Sequence, residues 1–143
     1  MEDIPVGPGR NALKKGELIE AIELPARKGK SGDAYLRFIP RTEMDIAVVS
    51  AGVSLTLGEK GVIKDARVAL GAVAPTVRLV KEAAKAIIGT KLDEAALEKL
   101  GKAASAACSP IDDKRGTVEF RTKGAAVLAK RAAQIAYKRA GGK

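Results

Sequence analysis

Apolar residues alternate with small or polar ones through the middle of the chain. The apolar positions are Val49, Ala51, Val53, Leu55 and Leu57, and the positions between them are Ser50, Gly52, Ser54 and Thr56. A period of two places the two sets on opposite faces of a strand, so the pattern predicts a half-buried strand over about residues 47–57. Alternation recurs over residues 62–73, beyond the glycine-bracketed turn at residues 58–61. These two runs therefore predict an antiparallel hairpin.

Two shorter apolar runs precede this hairpin. Residues 18–24 end at Pro25 and predict a first strand that begins at about residue 17. Residues 34–39 predict a second strand, which Pro40 ends because proline cannot donate to a central strand. The glycines and lysines of residues 28–32 predict the turn between them.

Beyond Pro75 the apolar spacing changes to three and four residues, which predicts helices over about residues 78–139. Gly89 is placed to end the first helix and Asp93 to begin the second. The third helix, about residues 118–137, is expected to carry its core-facing residues on one stripe. That stripe is Phe120, Gly124, Val127, Leu128 and Ile135.

Strands followed by helices predict an α+β fold. We expect an antiparallel sheet of three to four strands, over about residues 17–73, followed by a three-helix layer packed on one face. A length of 143 residues fits a single domain over residues 1–143.

The chain has no histidine and one cysteine, Cys108. Cys-His and Ser-His catalysis therefore lack their base, and a metal site lacks its commonest ligands. The carboxylate pairs Glu43 with Asp45 and Asp112 with Asp113 have no partner suited to acid-base chemistry. We predict no catalytic residue and no metal site.

The sequence contains neither an apolar run of membrane-spanning length nor the apolar core of a signal peptide. This predicts a soluble, cytoplasmic chain with no membrane partner. It also contains neither G-x-G-x-x-G after a strand nor a P-loop, so a self-contained dinucleotide site is not expected.

The net charge is +9, and residues 114–143 hold nine basic groups against Glu119 alone. Such a tail is compatible with a solvated helix face or a partner subunit, with an anionic cofactor or acidic partner, or with nucleic acid. Only four aromatic residues are available for stacking on bases, which weakens the nucleic-acid alternative. A small basic nucleic-acid-binding protein remains the alternative function.

Four stretches together resemble one known family. They are PGRNALKKGELIEAIELP from Pro8, RFIPRTEMDIAVVSAGVSL from Arg37, ARVALGAVAPTVRL from Ala66 and RGTVEFR from Arg115. Their residues, order and spacing resemble the C-terminal domain of the flavin-binding (medium) subunit of molybdenum hydroxylases. That family includes aerobic carbon monoxide dehydrogenases and xanthine dehydrogenases, and it implies the same strands-then-helices fold.

The resemblance also implies roles for a few residues. It places Leu18 and Ile19 beside the flavin ring, where the alternative is packing at the edge of a strand. It places Arg37 near the flavin, where the alternative is an ion pair with Glu43 or Asp45. Arg41 and Asp45 are expected to hold the shape of their segment. The run from Arg115 to Arg121 is expected to dock the last helix on the domain.

In the resembling subunits a larger FAD-binding region precedes this domain, and no such region is present in this sequence. The resemblance therefore implies that the chain contributes at most part of an FAD site and is inactive alone. It implies three partners: the FAD-binding domain of the same subunit, a molybdenum-containing large subunit and an iron-sulfur small subunit. The implied role is electron transfer from iron-sulfur clusters through FAD to an acceptor.

Overall fold

A computed structural model describes residues 3–27, 29–41 and 46–142. The strands are β1 Pro5–Gly7, β2 Arg10–Asn11, β3 Lys30–Phe38, β4 Val49–Leu57, β5 Ile63–Gly71 and β6 Arg78–Leu79, and the helices are α1 Lys81–Ile87, α2 Glu94–Ala106 and α3 Val118–Arg139. The main sheet has the antiparallel order β3-β4-β5-β6, and β1 and β2 form a separate small hairpin. The predicted α+β class is confirmed.

The predicted alternation in β4 matches its burial. All five odd positions, from Val49 to Leu57, are buried on the face that carries the helices. In the register of the hairpin Ala51 lies opposite Leu70 and Val53 opposite Val68, so both strands send apolar side chains into one core. A short 3-10 turn, Glu59–Gly61, joins β4 to β5 where the glycine-bracketed turn was predicted.

The predicted first strand over residues 17–24 is wrong. Residues 12–27 contain no strand, and no backbone hydrogen bond joins residues 18–26 to another described part of the chain. A strand needs a neighbour to satisfy its backbone groups, and this segment lies over the face of the sheet instead of along an edge. The sequence reading also missed the β1-β2 hairpin and the two-residue edge strand β6.

The predicted signals Asp93 and Gly89 lie at helix ends, and Thr117, which the sequence analysis did not single out, caps the third helix. Asp93 Oδ1 accepts the Ala96 N–H at 2.8 Å and starts α2, and Thr117 Oγ1 accepts the Phe120 N–H at 3.1 Å and starts α3. Gly89, just beyond α1, has φ +82°, the left-handed conformation that a glycine adopts at a helix end.

The buried face of α3 differs from the predicted one. Its buried apolar positions are five alanines and Tyr137, whereas Phe120 and Val127 are exposed. The alanines are Ala125, Ala129, Ala132, Ala133 and Ala136. The reason is a close approach of helix and sheet, because a Cβ added to Gly32 on β3 would lie 2.1 Å from the Ala136 carbonyl oxygen. Alanine side chains fit where the two backbones are this close. Of the predicted stripe, Leu128 and Ile135 are partly buried and pack against the core.

The core between the sheet and the helices is aliphatic, and its largest fully buried side chains include Leu55, Ile63, Leu70, Ile87 and Leu100. None of the helices in the described ranges has the length and apolarity needed to cross a membrane.

Candidate functional site

The face of the main sheet that points away from the helices carries a cavity. Even positions of β4, such as Gly52 and Ser54, form its floor together with alternate residues of β3, β5 and β6. Part of the segment over residues 19–23 and the β1 region form its wall. The cavity has a volume of about 980 Å³. Its size falls within the range of ligand sites.

The segment that lies over this cavity exposes four large aliphatic side chains. Leu18 is 77% exposed, Ile19 55%, Ile22 61% and Leu24 88%. Single exposed aliphatic residues are normal, but four within seven residues form an apolar surface that needs an explanation. Because no backbone hydrogen bond ties residues 18–26 to the rest of the described chain, the segment has the properties of a surface that another molecule covers.

The two neighbouring aliphatic residues of this segment diverge. Ile19 lines the cavity together with Ile22, whereas Leu18 is not part of the lining and projects outward. Successive side chains of a strand diverge in the same way, although this segment is not a strand. Only one of the pair can therefore contact a molecule inside the cavity, and the other is free to meet a molecule outside it.

Arg37 lies near one end of the same sheet face. It pairs with Ser50 in the β3-β4 register and is exposed, but it is not part of the cavity lining. Within the described residues Arg37 has no ion-pair partner. Glu43 and Asp45, the alternative partners considered for it, lie outside the described residues, so that alternative stays a prediction.

Tyr35 is the residue that the sequence reading missed. It is 64% exposed, lines the cavity, and lies over Gly52, where an added Cβ would be 3.7 Å from the tyrosine ring. A signal was present in the sequence, because Tyr35 occupies the outward position of β3 between the inward Ala34 and Leu36. A large aromatic side chain on the polar face of a strand indicates contact with something other than the core.

Ionic contacts border the cavity. Arg27 forms an ion pair with Asp33 of β3, which anchors the end of the covering segment to the sheet. The Asp33 carbonyl oxygen also accepts a hydrogen bond at 2.7 Å from Arg139 of α3. Glu23 and Arg67 contribute further charges to the lining. The site is therefore an apolar surface with a few charged groups around it, which is typical of ligand sites.

Arg121 occupies the other side of the sheet, at the start of α3. Its guanidinium donates to the carbonyl oxygens of Val48 at 2.7 Å and Ala72 at 3.1 Å, and to the Asp113 carboxylate at 2.8 Å. Arg121 therefore joins the start of α3 to the sheet, as the docking role predicted for the run from Arg115 to Arg121 requires. Hydrogen bonds from the Arg115 backbone N–H and from the Arg121 side chain hold the pKa of Asp113 below its ordinary value.

The remaining candidates for chemistry have structural contacts. Asp112 accepts the Val118 N–H at the start of α3, so both members of the Asp112 and Asp113 pair serve the backbone. Cys108 is half-buried, burial raises the pKa of its thiol, and its Sγ donates to the Ala104 carbonyl oxygen at 3.3 Å. In the described ranges no three histidine, cysteine or acidic side chains are grouped so that they could hold a metal ion.

Several basic groups of the C-terminal stretch are already paired. Lys123 contacts Glu119, Lys130 contacts Glu98 on α2, and Arg121 is buried at the start of the helix. A hydrogen bond from Lys130 lowers the pKa of Glu98. A hydrogen bond from Lys123 lowers the pKa of Glu119. Arg121 and Lys130 therefore join α3 to other parts of the domain, whereas the exposed pair of Lys123 with Glu119 lies within the helix.

Comparison with known proteins assigns the family. Residues 34–136 match the model of the CO dehydrogenase flavoprotein C-terminal domain. This chain belongs to that family, and the resemblance drawn from the four sequence stretches is confirmed.

Two curated relatives extend the match to most of the chain. The carbon monoxide dehydrogenase medium chain of Afipia carboxidovorans is 39% identical over 129 residues, which are 90% of this chain and 44% of that protein. The xanthine dehydrogenase FAD-binding subunit of Escherichia coli O157:H7 is 27% identical over 138 residues, 96% of this chain and 47% of that protein. The chain thus spans less than half the length of these relatives.

Solved structures agree with the sequence matches. A crystal structure of Cu,Mo-CO dehydrogenase superposes with a TM-score of 0.90 at 37% identity, over 96% of this chain and 48% of the matched chain. The carbon monoxide dehydrogenase of Hydrogenophaga pseudoflava gives a TM-score of 0.90 at 29% identity, over 96% and 47%. No nucleic-acid-binding protein appears among these relatives, so the alternative function gains no support from them.

Proposed function

We propose that this chain is the C-terminal part of the flavoprotein component of a molybdenum hydroxylase. In this proposal it closes one side of an FAD site that an FAD-binding half mainly builds. The observation that carries the proposal is the uncovered apolar segment over residues 18–24, which lies across the open sheet face of a chain in this family. The FAD-binding subunit among its relatives supports the choice of cofactor.

The residues on this face fit one part of FAD and not the rest. An apolar wall with Ile19, Ile22 and Tyr35 suits the face of a flat ring system. The pyrophosphate and adenine need backbone N–H groups presented by glycine-rich loops, and the sequence lacks both common patterns. We therefore assign the phosphate and adenine contacts to the FAD-binding half and only a ring contact to this chain.

Each predicted flavin contact has a distinct role in the proposal. Leu18 and Ile19 exclude water on two sides of the segment, one facing outward and one facing the cavity. Arg37 supplies a positive charge that stabilises negative charge when electrons reach the flavin. FAD, when bound, supplies the two-electron chemistry, and no side chain of this chain forms a bond to substrate.

The rest of the proposed assembly follows from the relatives. The Cu,Mo-CO dehydrogenase among the solved structures supports a molybdenum-containing large subunit as one partner. An iron-sulfur small subunit would deliver electrons to FAD, which passes them to an acceptor. We propose that the assembly is cytoplasmic and that the large subunit, not this chain, selects the substrate.

The first test mixes this chain alone with FAD and follows flavin fluorescence. We expect little or no change, because the chain lacks the groups that hold the phosphates. Stoichiometric, tight binding of FAD by the chain alone would contradict the division of the site proposed here.

The second test places this chain in a hybrid subunit, in exchange for the matching C-terminal part of the Afipia carboxidovorans medium chain, which is 39% identical. We expect the hybrid to retain FAD through purification. The double substitution Leu18→Ser with Ile19→Ser should lower FAD content by at least severalfold. Ile111→Ser, which alters an equally exposed aliphatic residue away from the cavity, is the matched control and should leave FAD content unchanged.

A further inference from the structure

The contacts of Arg121 extend to the strand that carries Arg37. Arg121 is 4% exposed and donates to the Val48 carbonyl oxygen at 2.7 Å. The Val48 N–H in turn donates to the Phe38 carbonyl oxygen at 2.9 Å, and Phe38 is the residue after Arg37. Two hydrogen bonds therefore connect the guanidinium of Arg121 to the backbone beside Arg37.

A ring contact reinforces this connection. Phe120, the neighbour of Arg121 on α3, packs edge-on against Phe38 with 5.7 Å between ring centroids. Phe38 faces the helices, whereas Arg37 faces the open side of the sheet, because successive residues of a strand alternate. The first turn of α3 thus holds the end of β3 from one face while Arg37 projects from the other.

The remaining bonds of Arg121 fix the helix end itself. It donates to the carbonyl oxygen of Ala72, just after β5, at 3.1 Å, to that of Gly116 at 3.3 Å and to the Asp113 carboxylate at 2.8 Å. A guanidinium presents five donors in a rigid plane, which a lysine or an uncharged side chain of similar length cannot reproduce. Arg121 therefore joins β4, β5 and the loop before α3 at one point.

We propose that Arg121 is a positioning residue that fixes the place of Arg37 beside the flavin. The inference rests on the proposed function, since it takes Arg37 to be the cation that stabilises the reduced flavin. Loss of Arg121 frees the end of β3 and the chain that follows Phe38, and the charge of Arg37 then spreads over a range of positions. Its effect on the flavin weakens although Arg37 is still present.

The test measures the flavin reduction potential of the hybrid subunit described above in four variants. Arg37→Met should lower the potential, because a positive charge that favours the reduced flavin is removed. Arg121→Met should shift it in the same direction by a smaller amount, and Arg121→Lys should restore part of that shift. The double variant should match Arg37→Met alone, because both substitutions act through one charge.

Tyr137→Phe is the matched control, since it removes a hydrogen bond of 2.8 Å between Tyr137 and the Gly61 carbonyl oxygen at the other end of α3. It should lower stability without moving the potential. An Arg121→Met potential equal to that of the parent, with Arg37→Met lowered, would overturn the inference and leave the proposed function intact. An unchanged potential in Arg37→Met would overturn both the role of Arg37 and this inference. If Arg121→Met does not fold, the comparison of Arg121→Lys with Tyr137→Phe decides between the same outcomes.

Discussion

The two faces of the main sheet are built from the same strands and differ in almost every other respect. The face toward the helices is closed, and its side chains pack at close range against an alanine surface of α3. The opposite face holds small and polar residues below a cavity, and the segment over it exposes four aliphatic side chains. One face is a finished core, whereas the other has the composition of an interface that is still to be covered.

The difference shows which face of the sheet stabilises the fold. Burial of apolar area stabilises only the helix face, at roughly 25 cal/mol per Å². The exposed aliphatic residues of the segment over the open face bury little area and contribute little to folding. Identical substitutions on the two faces should therefore have unequal effects on stability, which the following predictions test.

The largest contrast is expected for leucine truncation. Leu100→Ala removes a fully buried side chain of α2 and should lower the free energy of unfolding by about 2–5 kcal/mol, because a cavity remains. Leu24→Ala removes an exposed one and should stay within about 0.5 kcal/mol. Urea unfolding of both variants measures this, and equal losses would mean that the open face is packed in solution.

Replacing one glycine on each face by alanine tests how closely that face is packed. Gly32→Ala directs a Cβ to within 2.1 Å of the Ala136 carbonyl oxygen and should cost about 1–3 kcal/mol or more, because two backbones must separate. Gly52→Ala directs a Cβ toward Tyr35 at 3.7 Å, an ordinary contact, and should be nearly neutral. Thermal unfolding distinguishes them, and a neutral Gly32→Ala would show that α3 is not seated as closely as described.

A smaller contrast is expected for two aspartates. Asp93→Ala removes the cap that accepts the Ala96 N–H and should cost about 1 kcal/mol. Asp65→Ala alters an exposed aspartate on the open-face side of β5 and should change stability by less than about 0.5 kcal/mol. The midpoint of urea unfolding measures both losses. A larger loss of stability in Asp65→Ala than in Asp93→Ala would contradict the account.

Acid should weaken the helix face through Asp113. Its pKa is held below the ordinary value, so its contribution to stability is complete above the unfolded-state pKa and is lost as the pH falls through the folded-state pKa. As the pH falls from the usual pKa range of aspartate, the free energy of unfolding should therefore decline more steeply in the parent than in Asp113→Asn. Parallel slopes for the two proteins would show that the ion pair with Arg121 does not act in solution.

Local signals predicted much of the closed face. The alternation in β4 and β5, the turn at residues 58–61 and the caps Asp93 and Gly89 all lie where the sequence places them. These signals are short-range, since each depends on residues close together in the chain. The face of α3 could not be read in this way, because its alanines are buried by the approach of Gly32, about a hundred residues earlier in the chain.

The open face was harder to predict for a related reason. Residues 18–24 have the composition of a strand, but no neighbour in the described chain pairs with them, so composition alone gave the wrong element. Of the three candidate contacts, the structure places Ile19 in the cavity wall and leaves Leu18 and Arg37 outside the lining. Their contact with flavin stays a prediction, and Tyr35 joins them on the basis of its position.

The central claim is that the open face is covered in the working assembly. Hydrogen exchange at residues 18–26 tests it most directly, in this chain alone and in the FAD-loaded hybrid subunit. The account predicts fast exchange in the chain alone, since these residues form no backbone hydrogen bonds within the described ranges, and slow exchange in the hybrid. Equally fast exchange in both would contradict it.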